Sequence, residues 1–344
     1  MPDTVLVTGG TGYVAGWCIA QLLESGYDVR ATVRDTARAE RLRQAVVPES
    51  ARTGRLEFAV ADLNSDEGWT KAADGCAYVL HVASPLSADA SAGKDEERAL
   101  LRPARDGALR VLRAAADAGV RRVVMTSAAN AASPTSYTTE GVTDETLWTD
   151  LATPGLPAYR RSKTAAERAA WDFMAAYDGP MTLTTILPGA VFGPVLSPEV
   201  LGSARIIARL VGGAMPGTPH VGLEVVDVRD LADIHIRAMH APEAAGQRFL
   251  ATGEFLWMYD IALALRDGLG EAGHKVPTRR LPNLVVRAAT LFDPSLRDVM
   301  PALGRRNRHS TAKAQTLLGW LPRPGRDSVL DCARSLIDHG AVPG

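Results

Sequence analysis

Short runs of apolar and β-branched residues alternate, through the first half of the chain, with longer segments whose apolar residues recur every three or four positions. The short runs predict buried strands, and the longer segments predict helices with one buried face. Because strands that alternate with helices form βαβ units, the pattern predicts a parallel sheet with helices on both of its faces. Six strands are predicted in this way, at residues 4–8, 28–33, 56–62, 77–83, 120–126 and 182–187.

After residue 188 the alternation becomes irregular, and Pro and Gly become frequent, as in LPGAVFGP and GGAMPGTPH. One more helix over 225–239 and a strand in GQRFLATG are predicted in this part of the chain. A last helix is predicted over 328–337.

We therefore expect an α/β fold: a Rossmann-type, doubly wound parallel sheet with a smaller, interleaved C-terminal domain. The sheet domain would comprise residues 1–188, with a returning helix and strand at about 224–252. The smaller domain would comprise residues 189–223 and 253–344 and would bind the substrate.

Charge limits the class of partner. The 344 residues include 38 basic and 39 acidic side chains, which gives a formal net charge of -1. A balanced charge gives no electrostatic reason to expect binding to nucleic acid or to an anionic membrane. We expect a small-molecule partner instead.

The cysteines and the first residues indicate the compartment. The three cysteines, Cys18, Cys76 and Cys332, are far apart and odd in number, which fits neither a disulfide framework nor a zinc site. The chain enters its first strand without a signal segment, and no apolar run reaches about 18 residues. We expect a soluble, cytoplasmic protein without a metal site, present as a monomer or a homodimer.

A glycine-rich turn, Gly9 to Gly16, directly follows the first strand and opens the first helix. Bare backbone N–H groups and the helix dipole can face a pyrophosphate at such a turn. Ala15 stands where a third glycine is common, and alanine is small enough for close packing. A tight turn without a ligand is the alternative, but the surrounding strand and helix order favours dinucleotide binding.

The end of the second strand faces the adenosine ribose in dinucleotide-binding folds. An acidic residue there would accept a hydrogen bond from a 2′-hydroxyl, whereas this chain has Arg34 followed by Asp35. Arginine suits a 2′-phosphate through charge-assisted, forked hydrogen bonds. NADP(H) is therefore favoured over NAD, although Asp35 leaves some tolerance for both, and Arg34 on a solvated helix face is the alternative.

Tyr159 and Lys163 are four residues apart in a predicted helix at about 159–177, so they lie one turn apart on the same face. A free phenol has a pKa of about 10, and a neighbouring ammonium lowers that value. Tyr159 could then exchange a proton with a carbonyl oxygen at neutral pH. The spacing is common by chance, and the dinucleotide-binding context is what favours chemistry here.

The motifs VTGGTGYVAG, VRATVRD, ADL, HVASP, RRVVMTS, YRRSKTAAERAAW and LPGAVFGP together resemble the extended short-chain dehydrogenase/reductase superfamily. Within it, the chain is most similar to the group of dihydroflavonol reductases, cinnamoyl-CoA reductases and microbial NADPH-dependent aldehyde and ketone reductases. The resemblance runs from about Val5 to Val228 and returns at LGWLPRPG. It implies an NADP-dependent oxidoreductase with a Rossmann fold.

The resemblance also implies a set of cofactor contacts. They are Gly9, Gly12, Tyr13 and Val14 for the pyrophosphate, Arg34 for the 2′-phosphate, Asp62 and Leu63 for the adenine, Val82, Ala83 and Ser84 for the adjoining ribose and phosphates, Lys163 for the nicotinamide ribose, Pro188, Ala190 and Val191 for the carboxamide, and Ser203 for a further contact.

One catalytic position departs from the family pattern. The family usually ends the fifth strand with Thr-Ser-Ser, and its second serine orients the substrate oxygen, but this chain has Ala128 there. We expect Ser127 to take that role, so the expected catalytic residues are Ser127, Tyr159 and Lys163. Ser133 or Asn130 could instead reach in from the next loop, or Ser127 could only cap the strand.

The function expected is that of an NADPH-dependent carbonyl reductase acting on an aldehyde or ketone, or on an alcohol in reverse. One alternative is an NAD-dependent nucleotide-sugar epimerase or dehydratase, against which Arg34 and the lack of an obvious basic clamp near 217–227 argue. Another is a non-catalytic NADP-sensing module. The presence of both Tyr159 and Lys163 argues against a sensor, while Ala128 leaves some room for it.

Overall fold

The computed structural model describes residues 2–343 except 36, 38, 47–54, 85–99, 136, 138, 199–200 and 292–299. Its strands, in chain order, are β1 (Thr4–Val7), β2 (Asp28–Val33), β3 (Leu56–Val60), β4 (Tyr78–His81), β5 (Arg122–Thr126), β6 (Glu140–Thr143), β7 (Thr182–Pro188), β8 (Ala190–Phe192), β9 (Gly222–Asp227), β10 (Arg248–Ala251), β11 (Glu254–Trp257) and β12 (Arg306–His309).

The α-helices, in the same order, are α1 (Tyr13–Glu24), α2 (Ala39–Val46), α3 (Trp69–Ala73), α4 (Arg102–Asp117), α5 (Ala158–Ala175), α6 (Ala204–Val211), α7 (Val228–His240), α8 (Met258–Gly268), α9 (Asn283–Ala289), α10 (Ala312–Leu318) and α11 (Gly325–Asp338). Short 3₁₀ helices lie between some of them.

Seven strands form one sheet in the order β10-β7-β5-β4-β1-β2-β3, and every pairing in it is parallel. Side chains alternate between the faces of a strand, so neighbours in sequence enter different cores. Val5 and Val7 lie in a core with α1 and α7, whereas Leu6 lies in a second core with α3 and α4. The doubly wound parallel sheet predicted from the sequence is therefore confirmed.

The helix predicted over 225–239 is wrong at its start. Residues 222–227 form β9, which pairs with β8 and β11, and α7 begins only at Val228. Val225 and Val226 are fully buried, and their β-branched side chains suit a strand. Asp227 then ends the strand and caps the helix, because its carboxylate accepts a hydrogen bond from the Arg229 N–H at 2.9 Å.

Helix α11 and the segment before it are joined to the start of α7 by ion pairs. Arg229 pairs with Asp227 at 2.8 Å and with Asp331 of α11 at 2.6 Å, and Arg323 pairs with Asp230 at 2.7 Å. β10 joins the large sheet beside β7, so the later part of the chain contributes to both regions. The exact division into two domains stays a prediction.

No helix in the described ranges combines the length and the apolar character that crossing a membrane requires. The same ranges contain no group of three or more His, Cys, Asp or Glu side chains that could hold a metal ion. All three cysteines are buried and free.

Candidate active site

The glycine turn lies where the strand order reverses direction, between β1 and β4, at the carboxyl edge of the parallel sheet. Ligands of open α/β sheets bind in the crevice at this point. Gly9 has φ +68°, and a Cβ there would lie 2.9 Å from the Cβ of Ala83, which follows β4. Only glycine fits at this position. The N–H groups of Gly9, Gly10 and Gly12 donate within the protein, to the Thr32 hydroxyl at 2.9 Å, the Thr32 carbonyl oxygen at 2.8 Å and the Gly9 carbonyl oxygen at 2.8 Å. The turn thus brings its backbone close to the crevice, while these three N–H groups already have partners.

The start of α1 offers backbone donors at the same place. Gly12 precedes the helix, and the first N–H groups of a helix, here including those of Tyr13 and Val14, have no partner within the helix. The Tyr13 side chain is buried, and its hydroxyl donates to the Gly193 carbonyl oxygen at 2.7 Å. Tyr13 thus anchors a later loop with its side chain and leaves its N–H to the crevice.

Three of the residues expected to bind adenosine follow β2 and β3 at the same edge. Arg34 is exposed. Asp62 is half-buried and accepts a hydrogen bond from the Asn64 N–H at 2.8 Å. Leu63 accepts a hydrogen bond from Arg110 at its carbonyl oxygen, at 2.7 Å. Their positions suit an adenosine 2′-phosphate beside Arg34, and their binding roles stay predictions.

Val82, Ala83 and Ser84 directly follow β4 and are half-buried. The Ala83 N–H donates to the Thr8 hydroxyl at 3.0 Å, and that hydroxyl lies 2.9 Å from Nδ1 of His81. Burial, and then the ammonium of Lys163, lower the pKa of His81 to about 3, so its ring is neutral at physiological pH. The hydrogen bond between the Thr8 hydroxyl and Nδ1 of His81 ties the ends of β1 and β4 together.

Tyr159 and Lys163 lie one turn apart on α5. Lys163 is only 7% exposed, and its Nζ donates to the Thr126 carbonyl oxygen at the end of β5, at 3.3 Å. Burial lowers the pKa of Lys163 to about 8, and the charge of Glu167 partly opposes this shift.

Tyr159 borders open space. Desolvation by the surrounding protein raises its pKa to about 12, yet 39% of its surface is exposed. The exposed part of the side chain is the surface of Tyr159 that a ligand could contact. The rise in the pKa is opposite to the lowering expected from the neighbouring ammonium, because desolvation dominates, and the phenol is protonated at neutral pH.

The two hydroxyls at the end of β5 face opposite layers of the fold. The Thr126 hydroxyl lies 2.7 Å from Nε2 of His235 on α7, and Nδ1 of His235 donates to the Leu231 carbonyl oxygen. Burial lowers the pKa of His235 to about 4, so Nε2 of the neutral ring accepts a hydrogen bond from the Thr126 hydroxyl. Ser127 faces the other way, is 1% exposed and donates to Glu167 of α5 at 2.6 Å.

Comparison with known proteins agrees with this geometry. The model of the NAD dependent epimerase/dehydratase family matches residues 5–251. The chain is 36% identical over 253 residues to the cinnamoyl-CoA reductase CAD2 of Medicago truncatula, across 72% of this chain and 76% of that protein. It is 34% identical over 288 residues to a dihydroflavonol 4-reductase of Zea mays, across 80% and 76% of the two chains.

The chain belongs to the NAD dependent epimerase/dehydratase family. This family comprises the extended short-chain dehydrogenase/reductases, so the resemblance recognised in the sequence is confirmed. The solved structure of Gre2 from Candida albicans in complex with NADPH superposes on this extended short-chain dehydrogenase/reductase with a TM-score of 0.79 and 28% identity. That superposition covers 98% of this chain and 99% of Gre2.

The remaining predicted contacts of this extended short-chain dehydrogenase/reductase lie around β7 and β8. Pro188 ends β7 of the seven-stranded sheet, and Ala190 and Val191 belong to β8 of the three-stranded sheet, so all three lie where the chain passes from one sheet to the other. The Ser203 hydroxyl donates to the Val191 carbonyl oxygen and thereby holds β8 against the start of α6. In this structure Ser203 supports the strand, and its contact with a cofactor stays a prediction.

Of the two loop alternatives for the missing serine, Ser133 has partners for its hydroxyl elsewhere, and Asn130 is held through its backbone carbonyl. The Ser133 hydroxyl is fully buried, donates to the Ala129 carbonyl oxygen at 2.8 Å and contacts Nε2 of His309 at 2.9 Å. The carbonyl oxygen of Asn130 accepts a hydrogen bond from the Arg160 guanidinium at 3.1 Å. The loop is thus held in place from both sides.

Glu167, on α5, and Arg248, on β10, were not predicted from the sequence. Glu167 has no exposed surface and pairs with Arg248 of β10 at 2.8 Å. One local signal was available: an acidic residue four positions after Lys163 falls on the same helix face, which is otherwise rich in small residues. Arg248, 81 residues away, had none.

Proposed function

We propose that this protein is an NADPH-dependent carbonyl reductase that converts an aldehyde or ketone to an alcohol, with Tyr159 as the proton donor. The observation that carries the proposal is the Tyr159 and Lys163 pair on α5, with the Tyr159 side chain 39% exposed and the ammonium buried against the end of β5. The similarity to cinnamoyl-CoA reductase and dihydroflavonol 4-reductase supports the reaction type.

The residues present fit NADP(H). The close approach of Gly9 to Ala83 keeps the backbone of the turn close to the crevice, α1 opens directly after it, and the exposed Arg34 follows β2. A helix start favours the negative charge of a pyrophosphate, and a guanidinium favours that of a 2′-phosphate. The NADPH complex of the similar Gre2 supports this assignment. When bound, NADPH supplies the hydride.

The side chains of this protein then supply the proton. The Tyr159 phenol, protonated at neutral pH, gives its proton to the carbonyl oxygen as the alcohol forms. The Lys163 ammonium favours the phenolate that remains, because an opposite charge stabilises the ionised form. With Ser127 turned toward Glu167, we assign the proton chemistry to Tyr159 and Lys163, and the catalytic role expected for Ser127 stays a prediction that Ser127→Ala tests.

The test is NADPH consumption followed by absorbance, against a panel of aliphatic, aromatic and α-keto carbonyl compounds, with NADH in parallel. We expect turnover with NADPH, its loss in Tyr159→Phe, and its retention in Tyr177→Phe, which removes a hydroxyl just beyond the same helix. Equal turnover by wild type and Tyr159→Phe would overturn the role of Tyr159. Binding of NADPH without reduction of any carbonyl would favour the epimerase or sensor instead.

A further inference from the structure

A buried carboxylate fastens the helix of the proposed proton donor to three neighbouring strands. Glu167 on α5 has no exposed surface. It accepts hydrogen bonds from the Ser127 hydroxyl at 2.6 Å, the Thr185 hydroxyl at 2.7 Å and Nε of Arg248 at 2.8 Å. These partners follow or belong to β5, β7 and β10, which are adjacent in the sheet. The carboxylate therefore sets the position of α5 over the strand ends.

The same carboxylate acts on Lys163. The two residues are four positions apart on α5, so they share a helix face. Burial would drive the lysine toward its neutral form, and Glu167 is the group that opposes it, because its negative charge raises the pKa of Lys163. His81, at the end of β4, also faces Lys163, and its ring is neutral because burial lowers its pKa to about 3.

We infer that Glu167 is a positioning residue for Lys163: it holds α5 in register over the strand ends and keeps the lysine ammonium charged beside the crevice. This inference rests on the proposed function, in which Lys163 must be charged to favour the Tyr159 phenolate. It also gives Ser127 a role, since its hydroxyl donates to Glu167 and so helps to hold the carboxylate in place.

Arg248 allows a test that depends on the direction in which the pKa of Lys163 shifts. Its guanidinium lies over the Trp148 ring at 3.5 Å, donates to the Glu145 carbonyl oxygen at 2.6 Å and pairs with Glu167. Removing the charge of Glu167 removes the field that favours the ammonium of Lys163. Removing the charge of Arg248 should strengthen the effect of the Glu167 charge on Lys163, because the guanidinium no longer offsets it. A carboxylate that only held the fold together would give no such opposite pair of effects.

The experiment measures the pKa of the Lys163 amine in the cofactor-free protein by NMR with ε-¹³C lysine. The sequence contains only five lysines, Lys71, Lys94, Lys163, Lys275 and Lys313, so the spectrum is simple, and Lys163→Arg assigns the signal. Glu167→Gln keeps the size and an acceptor oxygen while it removes the charge. Asp172→Asn, an exposed position on the same helix, is the matched control.

We expect Glu167→Gln to lower the pKa of Lys163 by about one unit, a tenfold change in the ratio of neutral to charged amine. Arg248→Met should raise the pKa, and Asp172→Asn should leave it within about 0.2 units because an exposed charge is screened. An unchanged pKa in Glu167→Gln, or a shift of the same sign in Glu167→Gln and Arg248→Met, would overturn the inference. If Glu167→Gln does not fold, Arg248→Met alone tests the inference, through whether it raises the pKa of Lys163.

The pH profile of alcohol oxidation separates this inference from the proposed function. Oxidation needs the phenolate, so a less charged Lys163 in Glu167→Gln should move the rising limb to higher pH by about one unit. If Tyr159→Phe is fully active while the Lys163 pKa still falls in Glu167→Gln, the proposed function fails and the electrostatic role stands. If Tyr159→Phe is inactive and the Lys163 pKa does not move, the inference alone fails.

Discussion

Gly9→Ala tests whether the close approach of the glycine turn to β4 forms the cofactor crevice. Gly9 has φ +68°, and an added Cβ would lie 2.9 Å from the Ala83 Cβ and 3.0 Å from its Cα. The chain offers a matched control in Gly26, which has φ +84° but no heavy atom within 4 Å of an added Cβ. The two substitutions share the backbone cost and differ in the clash.

The expected costs follow from these distances. Left-handed backbone costs an alanine about 1–2 kcal/mol, and the lower entropy of the unfolded chain offsets about 0.4–1 kcal/mol of this. Gly26→Ala should therefore lose about 1 kcal/mol of unfolding free energy. At Gly9 the carbons meet well inside the optimum of about 3.5–4.0 Å, and overpacking adds about 1–3 kcal/mol. Gly9→Ala should lose about 2–4 kcal/mol in total.

Urea unfolding measures both free energies, and a fluorescence titration with NADPH measures the affinity of each variant that folds. We expect Gly9→Ala to bind NADPH at least about tenfold more weakly, because relief of the clash moves Ala83 or the turn. Gly26→Ala should bind like wild type. The reasoning fails if Gly9→Ala is no less stable than Gly26→Ala, or if it retains wild-type affinity despite the loss of stability.

Three further predictions concern the crevice. Arg34→Ser should weaken NADPH binding about 10- to 100-fold in a titration while NADH binding stays unchanged, since a charged hydrogen-bond partner contributes about 1.5–3 kcal/mol; equal losses for both cofactors would contradict this. Ala128→Ser should raise kcat at least about tenfold, if a hydroxyl there orients the substrate oxygen; an unchanged kcat would contradict it. Burial lowers the pKa of Lys163 from 10.5 to about 8. Between these two pH values the unfolded chain binds a proton that the folded chain does not. The free energy of unfolding of the wild type therefore rises with pH in this range. In urea unfolding at pH 7, Lys163→Met should have a free energy of unfolding up to about 3 kcal/mol higher than wild type. This difference should vanish as the pH rises to about 10.5. A difference that does not change with pH would contradict the prediction.

The sheet could be predicted from the sequence because its signals are local. Short β-branched and apolar runs predicted β2 over the residues where it occurs, Asp28–Val33, and β1, β3, β4, β5 and β7 to within a few residues, whereas β6 was not predicted. The error at Val225 has a non-local cause. That segment pairs with β8 and β11, and no pattern inside 225–239 shows those partners.

The network around Glu167 could not be predicted for the same reason. Its partners Thr185, Ser127 and Arg248 are 18, 40 and 81 residues away in sequence, and they meet only once β5, β7 and β10 are aligned. Glycine turns and the Tyr159 and Lys163 pair are short-range motifs, and these are what sequence reasoning found. A buried ion pair between distant elements leaves no spacing to recognise.

The end of β5 shows how one residue of offset changes the chemistry available. The Ser127 N–H donates to the Ile186 carbonyl oxygen, so the ladder with β7 continues past Thr126 and the faces still alternate. Ser127 therefore points to α5 and Glu167, while Ala128, extended at φ −156° and ψ 148°, takes the next position on the other face. A hydroxyl at 127 cannot replace one at 128 without breaking this alternation and leaving Glu167 short of a donor. Consequently, Ser127→Ala should act through Lys163 and shift the pH profile, whereas Ala128→Ser should change the rate without shifting it.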